Sequence, residues 1–288
     1  MCNFVVFTDS GCDIPLETLN EWGVKSLALT FKFKDEDKEY KNGDIGSKDF
    51  YDRMRAGAVA TTAAINMETF KDAFRAILAD GKDILYLGFS SGLSTTYNSA
   101  RLAAEELAEE FPERKILTVD TLCASAGQGL LVYLTVEKVK AGADIEAAAA
   151  YAEETKKGLC HWFTVDDLEY LKRGGRVSPT VAFVGGLLGI KPVLHVDDDG
   201  HLINMSKVRG RRAALSAIAD KIGENAGGKP NSPVYICHAD CMEDVETLKG
   251  MIKEKYSLPV DMVVDIGAVI GAHSGPGTIA VFFVGNER

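Results

Sequence analysis

The sequence predicts an α/β protein of two domains: an open, mostly parallel sheet flanked by helices, then a smaller mixed α/β domain. Three observations carry this expectation. Up to about residue 158, short apolar runs alternate with stretches of helical periodicity, the order that βαβ units require. After Lys156-Lys157-Gly158 the order changes, and two strand-like runs are joined by the turn Asp197-Asp198-Asp199-Gly200 in the manner of a hairpin. With 288 residues, 46% of them hydrophobic, the chain can bury one large or two ordinary cores. The expected domains are therefore 1–158 and 159–288.

The elements follow in order. Asn3 to Phe7 reads as a first strand, followed by the turn Thr8 to Asp13. Asp13 is expected to cap a helix whose first turn carries Pro15 and Glu17. Asp9 and Asp13 resemble a carboxylate pair, but their spacing across a glycine turn favours structural roles. Lys25 to Phe33 alternates as a second strand, and Lys34 to Asn42 reads as a hairpin tip or surface loop. Ser47 opens a helix with Phe50, Tyr51 and Met54 on one stripe, ended by Gly57. Thr61 and Thr62 precede a helix from Met67 to Asp80. Ile84 to Glu110 then passes from an apolar strand through a hydroxyl-rich turn into a long helix. Lys115 to Asp120 is a further strand, Gln128 to Ala141 a helix, and Asp144 caps a helix running to Lys157.

In the second half, His161 to Val165 is strand-like, and Asp166 is expected to cap a helix, Asp167 to Lys172, stopped by Gly174-Gly175. A small-residue apolar segment, Val181 to Gly189, precedes strands at Pro192 to Val196 and His201 to Val208. A helix from Arg211 to Ala226, a strand–helix unit from Val234 to Tyr256 and a closing pair of strands complete the chain.

Composition narrows the function. A net charge of -10 argues against nucleic acid as a partner, because phosphate neutralisation needs a basic face. The opening MCNFVVFTDSGCD lacks the charged and apolar regions of a signal peptide, and the apolar stretch 181–194 is interrupted by Lys191 and Pro192. A cytoplasmic protein without stable membrane insertion is expected. The six cysteines show no framework spacing and read as reduced, buried thiols. Cys237-His238-Ala239-Asp240-Cys241 alone suggests a metal cluster, but no second cluster completes four ligands, so neither metal nor cofactor is expected.

The chemistry concentrates in the turn after Ile84 to Phe89. Ser90, Ser91, Ser94, Thr95 and Thr96 crowd where a strand ends and a helix begins, a position that favours an anion. No lysine stands among them, so a weakly charged oxyanion such as a single carboxylate fits better than a polyphosphate. Thr61 and Thr62 offer a second wall for the same site, and His273, in a Gly-Pro-Gly turn, could hydrogen bond an anion across a cleft. Gly88-Phe89-Ser90-Ser91-Gly92 also fits the G-x-S-x-G elbow of serine hydrolases, with Ser90 as nucleophile, His273 as base and Asp265 or Asp240 orienting it. Against it, no glycine-rich oxyanion segment precedes the serine. Leu171 to Arg176 and Lys207 to Arg212 are basic spots in which Arg173, Arg176 and Arg209 could dock an acidic partner or simply end helices.

Five stretches occur in one order over the whole chain: Thr8-Asp9-Ser10 with Asp13-Ile14-Pro15, Ser90 to Tyr97, Leu171 to Ser178, Lys191-Pro192, and His273-Ser274-Gly275-Pro276-Gly277. Together they resemble the DegV family of fatty-acid-binding proteins. The resemblance implies two α/β domains with a long-chain fatty acid such as palmitate between them, its tail in an apolar tunnel. It also implies, in some relatives, an ATP-dependent fatty acid kinase to which the acid is presented. By position, Thr62 and Ser94 match the residues that hold the carboxylate, and His273 matches the histidine of the family's His-Thr-Gly-Pro-Gly motif. The family's Thr-Ser-Gln-Pro-Ser is Thr61-Thr62-Ala63-Ala64-Ile65 here, and the glycine after the turn's serine is Thr95. The segment 181–194 is the candidate tunnel wall.

Overall fold

A computed structural model describes residues 3–177 and 189–288. Four strands form an all-parallel sheet in the order β2-β1-β6-β7: β1 (Phe4–Asp9), β2 (Lys25–Leu27), β6 (Asp83–Gly88) and β7 (Ile116–Asp120). The helices α1 (Leu16–Glu21), α3 (Met67–Ala79), α4 (Thr96–Glu110), α5 (Ala126–Lys140) and α6 (Ile145–Thr155) connect these strands or follow them. Open parallel sheets bind ligands beyond the carboxyl ends of their strands, and the turns after β1, β6 and β7 all lie on that edge.

A six-stranded mixed sheet is built from the second half, in the order β10-β9-β8-β13-β11-β12. Its strands are β8 (Leu159–Thr164), β9 (Ile190–Val196), β10 (Leu202–Arg209), β11 (Tyr235–His238), β12 (Met262–Asp265) and β13 (Ile279–Val284). Along β8, β11 and β13 the side chains alternate between two covered faces. Cys160, Trp162, Val281 and Phe283 pack against α8 (Arg211–Ala226) and α9 (Met242–Tyr256) through Ile218, Ile222, Leu248 and Ile252. On the opposite face, Phe163, Ala280 and Phe282 join the larger core, which also holds Phe7 and Leu87 of the parallel sheet and Phe74 of α3. Helix α5, buried along most of its length, lies between the two sheets and touches β6, β8, β11 and β13.

Several boundaries differ from expectation for local reasons. Lys25 to Phe33 is two strands rather than one: β2 joins the parallel sheet, while β3 (Thr30–Phe33) joins a three-stranded antiparallel sheet, β4-β3-β5. In that sheet, β4 (Glu39–Lys41) completes the expected hairpin, and β5 (Ala60–Ala63) contains Thr61 and Thr62. Helix α3 is capped by Asn66, whose side chain accepts from Thr69 N. Helix α2 (Ser47–Arg55) buries Phe50, Tyr51 and Met54 as expected.

Asp13 does not cap α1. It sits in the left-handed region at φ 53° and accepts a 2.6 Å hydrogen bond from Ser125 Oγ, while Pro15 occupies the cap position. The cap of α7 (Leu168–Gly174) is Asp167, because Asp166 instead pairs with Lys191. The closing region is β12, a short helix α10 (Ala268–Ser274) and β13, with β11 between the two strands. His273 therefore stands in the last turn of α10 rather than in the Gly-Pro-Gly turn itself.

Candidate functional site

A cavity of about 520 Å³ lies where the three sheets meet, within the size range of small-molecule sites. Its floor is the inner face of the six-stranded sheet, with Phe163, Ala280 and Phe282. Leu171 of α7, Val269 and Ile270 of α10, and Val196 and Leu202 of β9 and β10 add apolar walls. Of the expected tunnel wall at 181–194, residues 181–188 fall outside the described residues and Ile190 to Leu194 belong to β9.

One part of the lining is polar. The turn from Ser91 to Thr95 faces the cavity, as do Thr62, His273 and Ser274. Thr62 Oγ1 lies 2.8 Å from His273 Nε2, so residues 211 positions apart meet at a hydrogen bond. Ser94 Oγ accepts from Thr96 N at 3.2 Å and lies 2.9 Å from Thr96 Oγ1. Thr96 Oγ1 in turn accepts from Ile65 N, which ties the turn to the connection between β5 and α3. Burial, with a smaller contribution from the Arg176 guanidinium, lowers the pKa of His273 to about 4, so its ring is neutral near neutral pH.

Of the residues singled out from sequence, Thr62, Ser94, Thr95 and His273 line the one cavity. Thr61, one residue along β5, faces the other way; it is exposed and donates to Lys32 O. Arg176 lines the cavity's exposed side, where its guanidinium donates to Gly174 O at 2.6 Å and Leu93 O at 3.4 Å. Arg173 stacks on Tyr170 at 4.9 Å. Arg209 ends β10, seven residues from the Leu202 that bridges to Val177, so about 23 Å of strand separates it from Arg176.

The serine-hydrolase constellation is not assembled. Ser90 is fully buried, its Oγ donating to Gly200 O at 2.9 Å and accepting from Gly92 N at 3.2 Å. His273 is taken by Thr62, Asp265 lies 3.4 Å from His238, and Asp240 pairs with Arg55. A nucleophile needs its base within hydrogen-bond reach, and the tip of the β9–β10 hairpin occupies the position beside Ser90 instead. The Asp9 carboxylate is likewise structural: it is fully buried and accepts from Tyr86 Oη, Phe89 N and Gly11 N.

Ser125 and His161 also line the cavity and were not singled out from sequence as site residues. Ser125 holds a strained φ of 53° just before α5. His161 is buried and held neutral by desolvation, with Nδ1 donating to Leu159 O at 3.1 Å. His161 alternates with Cys160 and Trp162 along β8, a period that identifies its face only once the covering of both faces is known.

The family model described as "Uncharacterised protein, DegV family" matches residues 3–286. The chain belongs to the DegV family. A DegV domain-containing protein of Clostridium perfringens is 42% identical over 292 residues, spanning 100% of this chain and 99% of the relative. A protein of Thermotoga maritima named a fatty acid-binding protein is 34% identical, with 95% of each chain covered. Among solved DegV structures, one described as showing fatty acid binding, from Thermus thermophilus, superposes with a TM-score of 0.86 at 30% identity, covering 98% of this chain and 99% of that one. A stearic acid-binding protein of Eubacterium ventriosum superposes with a TM-score of 0.88 at 26% identity, covering 98% of each chain. Among the described residues no helix is long and apolar enough to cross a membrane.

Proposed function

We propose that this DegV protein binds a long-chain fatty acid such as palmitate, with the tail in the cavity between two lobes, 1–158 and 159–288. The carboxylate would be held by Thr62, Ser94, Thr95 and His273. The observation that carries this reading is the pairing of Thr62 with His273 beside the Ser94 turn, at a polar edge of an otherwise mainly apolar cavity. If His273 donates from Nε2 to Thr62, the threonine hydroxyl proton is free for a carboxylate oxygen, and neutral donors suffice for a single charge.

The energetics favour an acyl ligand. Burying a methylene contributes roughly 0.8 kcal/mol, so a tail of about 14 methylenes gives on the order of 11 kcal/mol gross, several of which are offset by immobilisation. Tail burial supplies the affinity and the hydroxyls fix the orientation. On this reading the protein is a cytoplasmic carrier without chemistry of its own. It presents the carboxylate to an ATP-dependent fatty acid kinase that docks on the side where Arg173 and Arg176 stand. Titration with radiolabelled palmitate tests the binding step: saturable one-to-one binding is expected, and no binding above background would refute it.

A further inference from the structure

The G-x-S-x-G serine has no part in the proposed headgroup contacts, yet it is fully buried. Ser90 O accepts from both Leu93 N and Ser94 N at 3.1 Å, and Ser90 N donates to Cys123 O, so this residue shapes the turn that presents Ser94. Its Oγ faces outward from that turn, to Gly200 O at the tip of the β9–β10 hairpin. The contact is close on both sides. A Cβ on Gly200, which holds φ +78°, would collide with Ser90 Oγ, and one on Gly92 would lie 2.8 Å from Asp199 O. The arms of the same hairpin contribute Val196 and Leu202 to the cavity, and the turn contributes Leu93 and Ser94. The hairpin tip and the turn thus meet along one edge of the cavity wall.

We propose that Ser90 is a positioning residue that latches the β9–β10 hairpin across the hydroxyl turn, and that this latch sets how fast a bound acid leaves. This rests on the acyl-binding reading. Parting the two walls widens the way out for a ligand held between them, and parting them here breaks a buried hydrogen bond and exposes Gly200 O and Ser90 Oγ. The latch acts on release rather than on headgroup affinity, which separates it from Thr62 and Ser94.

The test uses the fluorescent fatty acid cis-parinaric acid, bound to the full chain and chased with excess palmitate. Ser90→Ala should raise the dissociation rate about tenfold, the scale of one lost buried hydrogen bond, and raise the association rate with it, because the same contact closes the ligand-free protein, so that the affinity changes less than threefold. Gly200→Ala, which attacks the contact from the other side, should do the same. Hydrogen exchange on the unmodified protein gives a reading that needs no variant: palmitate should slow exchange at the Gly200 and His201 amides. A dissociation rate within twofold of the original in a folded Ser90→Ala protein would overturn the latch, as would exchange at Gly200 that ignores palmitate. If the unmodified protein binds neither acid, the acyl reading itself fails, a different result from normal binding with unaltered release.

Discussion

Thr61 and Thr62 are adjacent and chemically identical, yet strand geometry assigns them opposite fates. Thr62 meets His273 at 2.8 Å on the cavity side, and Thr61 is exposed on the other. Thr62→Val and Ser94→Ala should each weaken palmitate binding about ten- to a hundredfold, the scale of a hydrogen bond to a charged group, whereas Thr61→Ala should leave it within twofold. Isothermal titration distinguishes the three, and equal losses at Thr61 and Thr62 would contradict this placement of the carboxylate. Asp13 carries a different consequence. The residue is partly exposed, but its carboxyl is enclosed: Oδ1 has no partner among the described residues and Oδ2 accepts from Ser125. Desolvation raises its pKa from 3.8 to about 7. A raised acid favours the fold while protonated, so its contribution is full below 3.8 and is lost as pH rises through about 7. Asn tolerates the left-handed backbone and keeps a neutral side chain. Asp13→Asn should therefore gain on the original protein in urea denaturation, with the difference between the two proteins growing as pH rises from 3.8 to about 7 and levelling off above that.

At the scale of elements, α10 and β5 set the site, and both were hard to read. β5 has only four residues, Ala60–Ala63, with no large apolar side chain, and its partner β3 supplies the burial that makes it a strand. α10 is only seven residues long, and the apolar run from Ile266 to Ala272 that contains most of it suits a strand as readily as a helix. By contrast, the turn after β6, the Asp144 cap of α6, the β9–β10 hairpin and helices α8 and α9 carry strong local signals and were legible. The Thr62–His273 contact has no local signal, because it depends on how α10 packs beside β5 and α7. That packing includes a close approach: a Cβ on Gly174 of α7 would collide with His273 Nδ1. Gly174→Ala should push the imidazole away from Thr62 and weaken palmitate binding about tenfold. Added to His273→Ala, it should cost little more than His273→Ala alone; additive losses would show that α7 does not act through the histidine.

Across the whole molecule, three sheets converge on one mainly apolar cavity with hydroxyls at one edge. The parallel sheet supplies the Ser94 turn, the small sheet supplies Thr62, and the mixed sheet supplies the floor. Alternation of strand and helix made the first half readable, and pairing through a hairpin made the second half readable. The small third sheet was not, because its three strands come from connections between larger elements. A cavity of this kind holds its ligand chiefly by burial, so an acid acquired in the cell should survive gentle purification. Native mass spectrometry of the protein purified from bacterial cells without added lipid measures this directly. The account predicts a population heavier than the bare chain by the mass of one long-chain fatty acid, which is released as that acid on denaturation. A single species at the bare mass, unchanged after incubation with palmitate, would contradict it.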